Sequence, residues 1–263
     1  MFRFKRSAFL MLVCATLLVG QAVSAQGLSG LLLKKSYTLL NEGYYIAEGA
    51  VCFEDGIVTE CTIDEMNTML FWGNFSQDGI TKDEIAKFGD DNIYTAMFDF
   101  HGAKTPTKFA KYVQVGDLVF SAGAKPDGYI LYTSETTGEV ISFFNRSEGH
   151  MAWFFNQMRA GNFWLLKKTA SGFEKFEIAS FFKDVPGAKL EKGKSQNKKY
   201  RIHWKDWEPN IYKIENFVKR NGFIDGKFTR AKDTVWSIAD VVTGATIQEF
   251  EEYAGVLYKA YKK

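Results

Sequence analysis

The sequence predicts an α+β protein with an antiparallel β-meander or barrel-like body and a helical C-terminal part. Three observations carry this. Five short runs rich in aliphatic and aromatic residues (117–122, 129–133, 139–144, 151–157 and 163–168) are separated by Gly-containing turns about every 10 to 13 residues. The chain is 16% aromatic, with 24 Phe, 12 Tyr and 6 Trp, and aromatic side chains favour strands and fill sheet interiors. After Lys168 the apolar residues change from strand spacing to helical spacing.

The chain opens with Arg3, Lys5 and Arg6, an apolar run over 8–19, and Ala22-Val23-Ser24-Ala25. A basic start, a short apolar stretch and small residues at −3 and −1 predict a secretory signal peptide over 1–25, cleaved after Ala25. The apolar run is shorter than the roughly 20 residues needed to cross a bilayer, so no transmembrane segment is expected after cleavage. Cys14 lies inside that run behind Met11-Leu12-Val13, which does not suit a lipid-anchored cysteine. Export to the periplasm or the extracellular space is the expected localisation.

The mature chain is expected to hold a β-rich domain over 26–168 and a helix-containing region over 169–263 packed on it. Two strand-like runs, 44–53 and 57–63, flank Glu54-Asp55-Gly56, a hairpin signal. Thr81-Lys82-Asp83-Glu84 is a capping box that starts a short helix ending near Phe88, and 93–100 reads as strand. Within the meander, 151–157 fits two helical turns as well as a strand. Ser171 and Glu174 form a second capping box, and Phe173, Phe176, Ile178, Phe181 and Phe182 fit a helix stopped by Val185-Pro186-Gly187. A further helix opens at Pro209, buries Ile211, Ile214, Phe217 and Val218, and ends at Gly222. The last, capped by Thr246 and Glu249, carries Phe250, Tyr253, Ala254, Leu257 and Tyr261 at 3.6-residue spacing.

Charge excludes one class of partner. The precursor's 33 basic residues include three in the signal, leaving 30 against 31 acidic ones. A near-neutral chain has no global footprint for nucleic acid. The basic stretch Lys189, Lys192, Lys194, Lys198, Lys199, Arg201 and Lys205 reads as a solvated loop, with contact to anionic headgroups or an acidic partner as the alternative.

The residues offer little for catalysis. Cys52 and Cys61 remain after cleavage, and an oxidising compartment predicts a disulfide between them. The turn decides their register. An Asp55-Gly56 loop places Cys52 opposite Thr59 with Cys61 on the diagonal, whereas a Gly56-Ile57 loop places the cysteines directly opposite. His101, His150 and His203 are isolated and match no zinc spacing. Ser147, Glu148 and His150 are close in sequence but sit in what reads as a hairpin turn, without the Gly-x-Ser-x-Gly of a nucleophile elbow. No phosphate loop or calcium loop is present, so no catalytic residue, metal or cofactor is assigned.

His203-Trp204-Lys205-Asp206-Trp207-Glu208-Pro209 is the most unusual cluster. It reads first as the approach to a helix, with a Trp packed as a staple and Asp206 near the helix start. Trp204 and Trp207 beside Asp206 are also the candidate ligand-binding residues, two aromatic platforms and a carboxylate suited to a sugar ring. The order of pieces resembles uncharacterised exported proteins of Bacteroidota. The likeness rests on Gly49-Ala50-Val51-Cys52-Phe53-Glu54-Asp55-Gly56, on Asp83-Glu84-Ile85-Ala86-Lys87-Phe88, on Phe181-Phe182-Lys183-Asp184-Val185-Pro186, and on Phe217-Val218-Lys219-Arg220-Asn221. These stretches span about a quarter of the chain. Val185 stands where that pattern has Cys, and Arg220 where it has Tyr. The resemblance implies export and architecture, and no activity. The expected role is a non-enzymatic binding or envelope-associated one, with an envelope protein or a glycan as partner. A small-ligand or glycan binder using exposed aromatics is the alternative, and a hydrolase with dispersed carboxylates the third reading.

Overall fold

The structure, a computed structural model, describes residues 31–40, 43, 45–68, 72–75, 81–100, 103–176, 207–223, 228–230, 235–238, 241–243, 245 and 250–263. The signal, the basic stretch 189–205, His101, His203, Trp204 and Asp206 lie outside the described residues, as do Thr246 and 177–187.

The first described elements, β1 (Leu31–Leu40), β2 (Tyr45–Glu54) and β3 (Ile57–Asn67), form a three-stranded sheet in that order. Thr81 caps α1 (Lys82–Phe88): its hydroxyl accepts from Glu84 N–H, and the Glu84 carboxylate reaches back to Thr81 N–H, as expected. β4 (Ile93–Phe100) pairs along its length with β5 (Ala103–Ala110). Next come β6 (Tyr112–Val115), β7 (Leu118–Ala124), β8 (Ile130–Ser134) and β9 (Gly138–Glu139). Two helices follow, α2 (Val140–Arg146) and α3 (Glu148–Arg159), and then the hairpin β10 (Phe163–Thr169) and β11 (Gly172–Phe176). α4 (Trp207–Asn221), the short strands β12 (Thr229–Arg230), β13 (Trp236–Ile238) and β14 (Val241–Val242), and α5 (Phe250–Lys262) complete the described elements. The fold is α+β, as the sequence predicts.

The body is not a barrel. The main sheet is open, in the order β11-β10-β6-β7-β8-β9, because β10 pairs with β6 rather than with its predecessor in sequence. Two of the five expected strands are helices. Val140, Phe143 and Phe144, and then Met151, Phe154, Phe155 and Met158, are buried at three- and four-residue intervals, which is a helical and not a strand spacing. Ser147 is an N-cap between them, its hydroxyl accepting from His150 N–H, and not part of a hairpin turn. A third correction concerns Ser171 and Glu174. The Ala170-Ser171 loop joins β10 to β11, Thr169 Oγ1 accepts from Ser171 N–H, and Phe173 and Phe176 are strand residues paired with Lys168 and Leu165.

The chain divides into two compact units. The first holds 31–38, 47–64 and the described residues from 207 onward; the second holds 39–46 and 65–176. In the first unit, α5 buries Phe250, Tyr253, Ala254, Val256, Leu257 and Ala260. The β2 backbone comes so close to it that a Cβ on Gly49 would lie 2.8 Å from the Val256 carbonyl. Ser36 Oγ donates to that same carbonyl, and Lys259 Nζ donates to Tyr37 O at 3.0 Å. α4 buries Ile211, Ile214, Phe217 and Val218, as its sequence predicts, and Gly222 takes φ +67° as its N–H returns to Val218 O. The helix starts at Trp207, with Pro209 inside the first turn, where no intrahelical N–H bond is lost.

The second unit is centred on Trp72, whose ring lies 5.4–5.8 Å from those of Phe120, Tyr132, Phe154 and Phe163. The Tyr132 hydroxyl donates to Ala110 O at 2.6 Å, with Trp72 O at 3.1 Å. Burial holds this phenol well above its ordinary pKa, so it stays a neutral donor.

Candidate functional site

Side chains alternate across a strand, so the register assigns each residue of the main sheet to a face. Phe163, Leu165, Val113, Val115, Phe120, Ile130 and Tyr132 point one way, and all are buried. The other face carries Lys175 and Phe173 from β11, Trp164, Leu166 and Lys168 from β10, and Tyr112 and Gln114 from β6. Val119 and Ser121 from β7, with Leu131 and Thr133 from β8, continue it. Leu166 is buried at its floor, whereas Lys168, Lys175, Phe173, Ser121 and Thr133 are exposed, Phe173 by 47%.

Rings and ammonium groups are interleaved on this face. The Lys175 ammonium sits 4.4 Å from the centre of the Trp164 ring. Those of Lys168 and Lys111, the residue joining β5 to β6, sit 5.9 and 5.7 Å from the Tyr112 ring. Phe173 meets Tyr112 at 5.0 Å and 59°. Such contacts contribute about 0.5–1 kcal/mol each at exposed sites, and they hold long, flexible side chains over one surface. None of the three lysines has a carboxylate within 4 Å among the described residues. Glu174 pairs with Lys167 on the opposite face, Glu139 lies on β9 at the far edge of the sheet, and Asp90 and Asp91 adjoin Asn92, whose oxygens accept from the Lys111 and Lys168 backbone N–H, without coming within 4 Å of either ammonium. Among the described residues the result is a cationic and partly aromatic surface with hydroxyl and amide groups beside it.

The sequence does not single out these residues. It reads 163–168 as strand, but a helix over 173–182 takes Phe173 and Lys175 away from Trp164 and Lys168. The readable signal is the alternation of Phe163 and Leu165 with Trp164, Leu166 and Lys168, which leaves an aromatic and a lysine on the face away from the core.

The residues singled out from the sequence fall differently. Trp207 is 4% exposed; its Nε1 donates to the Tyr253 hydroxyl at 3.0 Å and its ring meets Tyr253 at 74°. It is a core residue and not a sugar platform, because an amphipathic helix turns its first apolar side chain inward with the rest of the stripe. Cys52 and Cys61 are buried thiols with no disulfide between them. Asp55 and Gly56 both have positive φ, +54° and +79°, which makes a two-residue type I′ loop. Cys52 therefore faces Thr59, whose Oγ1 donates to Cys52 O. Cys61 lies on the diagonal, where Cβ atoms are roughly 7 Å apart instead of the 3.5–4.5 Å of a disulfide. His150 stacks on Phe143 at 4.0 Å, with Nδ1 2.7 Å from the Phe143 carbonyl, so it locks the α2–α3 junction.

A second group of ionisable side chains joins α4 to β3 in the first unit. The Glu215 carboxylate accepts from Ile63 N–H at 2.7 Å, Cys61 Sγ donates to Glu215 O at 3.2 Å, and Lys219 pairs with Glu60 at 2.9 Å. Burial pushes the Glu215 carboxyl up to about 7; the Ile63 N–H and Lys219 pull against this, and Glu60 and Asp64 add to it. Burial, with the neighbouring Glu215, also pushes the Cys61 thiol far up, so it stays protonated and unreactive. This group fastens a helix to a sheet.

Among the described residues no group of three or more His, Cys, Asp or Glu is placed to hold a metal ion, and no helix is long and apolar enough to cross a membrane. The chain matches no family model, no curated protein and no solved structure.

Proposed function

We propose that the protein is exported and acts as a non-enzymatic binding protein of the cell envelope, engaging its partner with the aromatic and lysine-bearing face of the main sheet. The observation that carries this reading is the set Lys111, Lys168 and Lys175, held over Tyr112 and Trp164 with no described carboxylate within 4 Å of their ammonium groups. A surface of cations beside one exposed apolar ring attracts and orients an anionic partner. The basic n-region, the apolar stretch and the Val23-Ser24-Ala25 site support export. Export agrees with the resemblance of 49–56, 83–88, 181–186 and 217–221 to exported proteins.

Both halves have a test. Export predicts that protein recovered outside the cytoplasm begins at Gln26; an intact precursor, or an acyl chain on Cys14, refutes it by mass. Binding predicts that the protein sediments with envelopes of the cells that make it at low salt. The double variant Lys168→Glu/Lys175→Glu should stay in the supernatant while melting as the wild type does. Equal sedimentation of the two proteins removes this face as the binding surface.

A further inference from the structure

Resting on that reading of the face, we infer that its ligand is an acidic polysaccharide, a hydroxyl-rich chain carrying carboxylates. The shape argues for a polymer. Small ligands occupy concave pockets that bury most of their surface, whereas the described part of this surface is the face of a sheet six strands wide. Across one row the register aligns Lys175, the buried Leu166, Tyr112, Ser121, Thr133 and Glu139, one residue from each of six strands. At about 4.8 Å between strands the row is about 24 Å long.

The chemistry along the row is graded. One end holds Lys175, with Lys168 and Lys111 close by, and recognises carboxylates. The middle and far end hold Gln114, Ser121 and Thr133, donors and acceptors for sugar hydroxyls. Phe173 and Tyr112 supply apolar surface for ring C–H groups. Glu139 at the far edge sets a limit to the anionic contact on that side.

Two other anionic partners fit less well. Bases of single-stranded nucleic acid need ring faces on which to stack. Here the faces of Trp164 and Tyr112 are taken by ammonium groups, and Phe173 is tilted 59° to Tyr112. A lipid surface calls for a broad apolar face to bury; on this surface only Phe173 is both large, apolar and strongly exposed.

Titration of the full chain with polygalacturonate, dextran, oligo-dT and phosphatidylglycerol vesicles, followed by Trp fluorescence and calorimetry, tests the assignment. The inference expects polygalacturonate to bind, dextran not to bind, and affinity to fall as salt is raised. Lys168→Glu/Lys175→Glu should bind roughly tenfold more weakly, and Lys168→Arg should bind like the wild type. Tighter binding of oligo-dT or of vesicles than of polygalacturonate, still lost in the double variant, overturns the saccharide and leaves the face as the binding surface. Polygalacturonate binding that the double variant retains overturns both. No binding of any probe overturns the saccharide assignment, and the envelope sedimentation then decides the face independently.

Discussion

Replacing Glu215 with Gln should make the protein more stable, and more so as pH rises. In the folded chain the carboxyl is pushed from 4.5 to about 7, chiefly by burial. It therefore keeps its proton between about pH 4.5 and 7, where the unfolded chain has released it. Stability is greatest below that window and declines as pH rises through it. At about 1.36 kcal/mol for each tenfold change in proton affinity, the loss amounts to about 3 kcal/mol by pH 8, an upper bound because the side chain is only partly buried. Gln keeps the carbonyl oxygen that accepts from Ile63 N–H and does not ionise. Urea melts of both proteins at pH 5, 6, 7 and 8 give the difference in unfolding free energy, in which titrations common to both cancel. The difference should grow in favour of Glu215→Gln by up to about 3 kcal/mol. A difference that stays flat, or that shrinks because the Lys219 ammonium and the Ile63 N–H stabilise the ion, refutes burial as the dominant cause.

Three further outcomes follow from the packing. Leu257→Ala, at a side chain with 0% exposure on α5, should cost about 2 to 5 kcal/mol in a denaturant melt; exposed Glu251→Ala should stay within about 0.5 kcal/mol. Thiol labelling without reductant should find no reactive cysteine in the native protein and two after unfolding, since Cys52 and Cys61 are buried and unbridged. Ser147→Ala should cost about 1 kcal/mol through loss of the cap on α3, whereas a Ser147 in a plain hairpin turn would lose almost nothing.

What was legible in the chain followed from strong local signals. Thr81 and Glu84 bond across one helical turn, a hairpin turns at Glu54-Asp55-Gly56, and the stripe of α4 and the Phe250, Tyr253, Ala254 and Leu257 of α5 are buried as their periodicity selects. Where two periods fit, the tertiary context decided. Met151, Phe154, Phe155 and Met158 satisfy a helix fully, yet in a run of aromatic residues they also pass for a buried strand. β5 was hidden by Pro106, a residue at odds with strand structure except at sheet edges, and β5 belongs to a two-stranded sheet where such an edge exists. The aromatic and lysine-bearing face was less legible still, because it depends on β10 pairing with β6 across three intervening strands and two helices. No local pattern specifies that pairing, and without it Tyr112 and Lys168 have no reason to meet. Trp207 shows the converse: a Trp that fits a ligand platform as well as a helix approach is buried by the helix that carries it.

The central claim is that the face bearing Tyr112, Trp164, Phe173 and the three lysines is where the protein meets its partner. Lysine acetylation read by mass spectrometry, with and without isolated envelopes of the cells that make it, tests this without knowing the ligand. The account predicts that Lys111, Lys168 and Lys175 lose reactivity together, while exposed Lys82 on α1 and Lys213 on α4 keep theirs. Protection confined to other lysines, with these three as reactive as before, would contradict it.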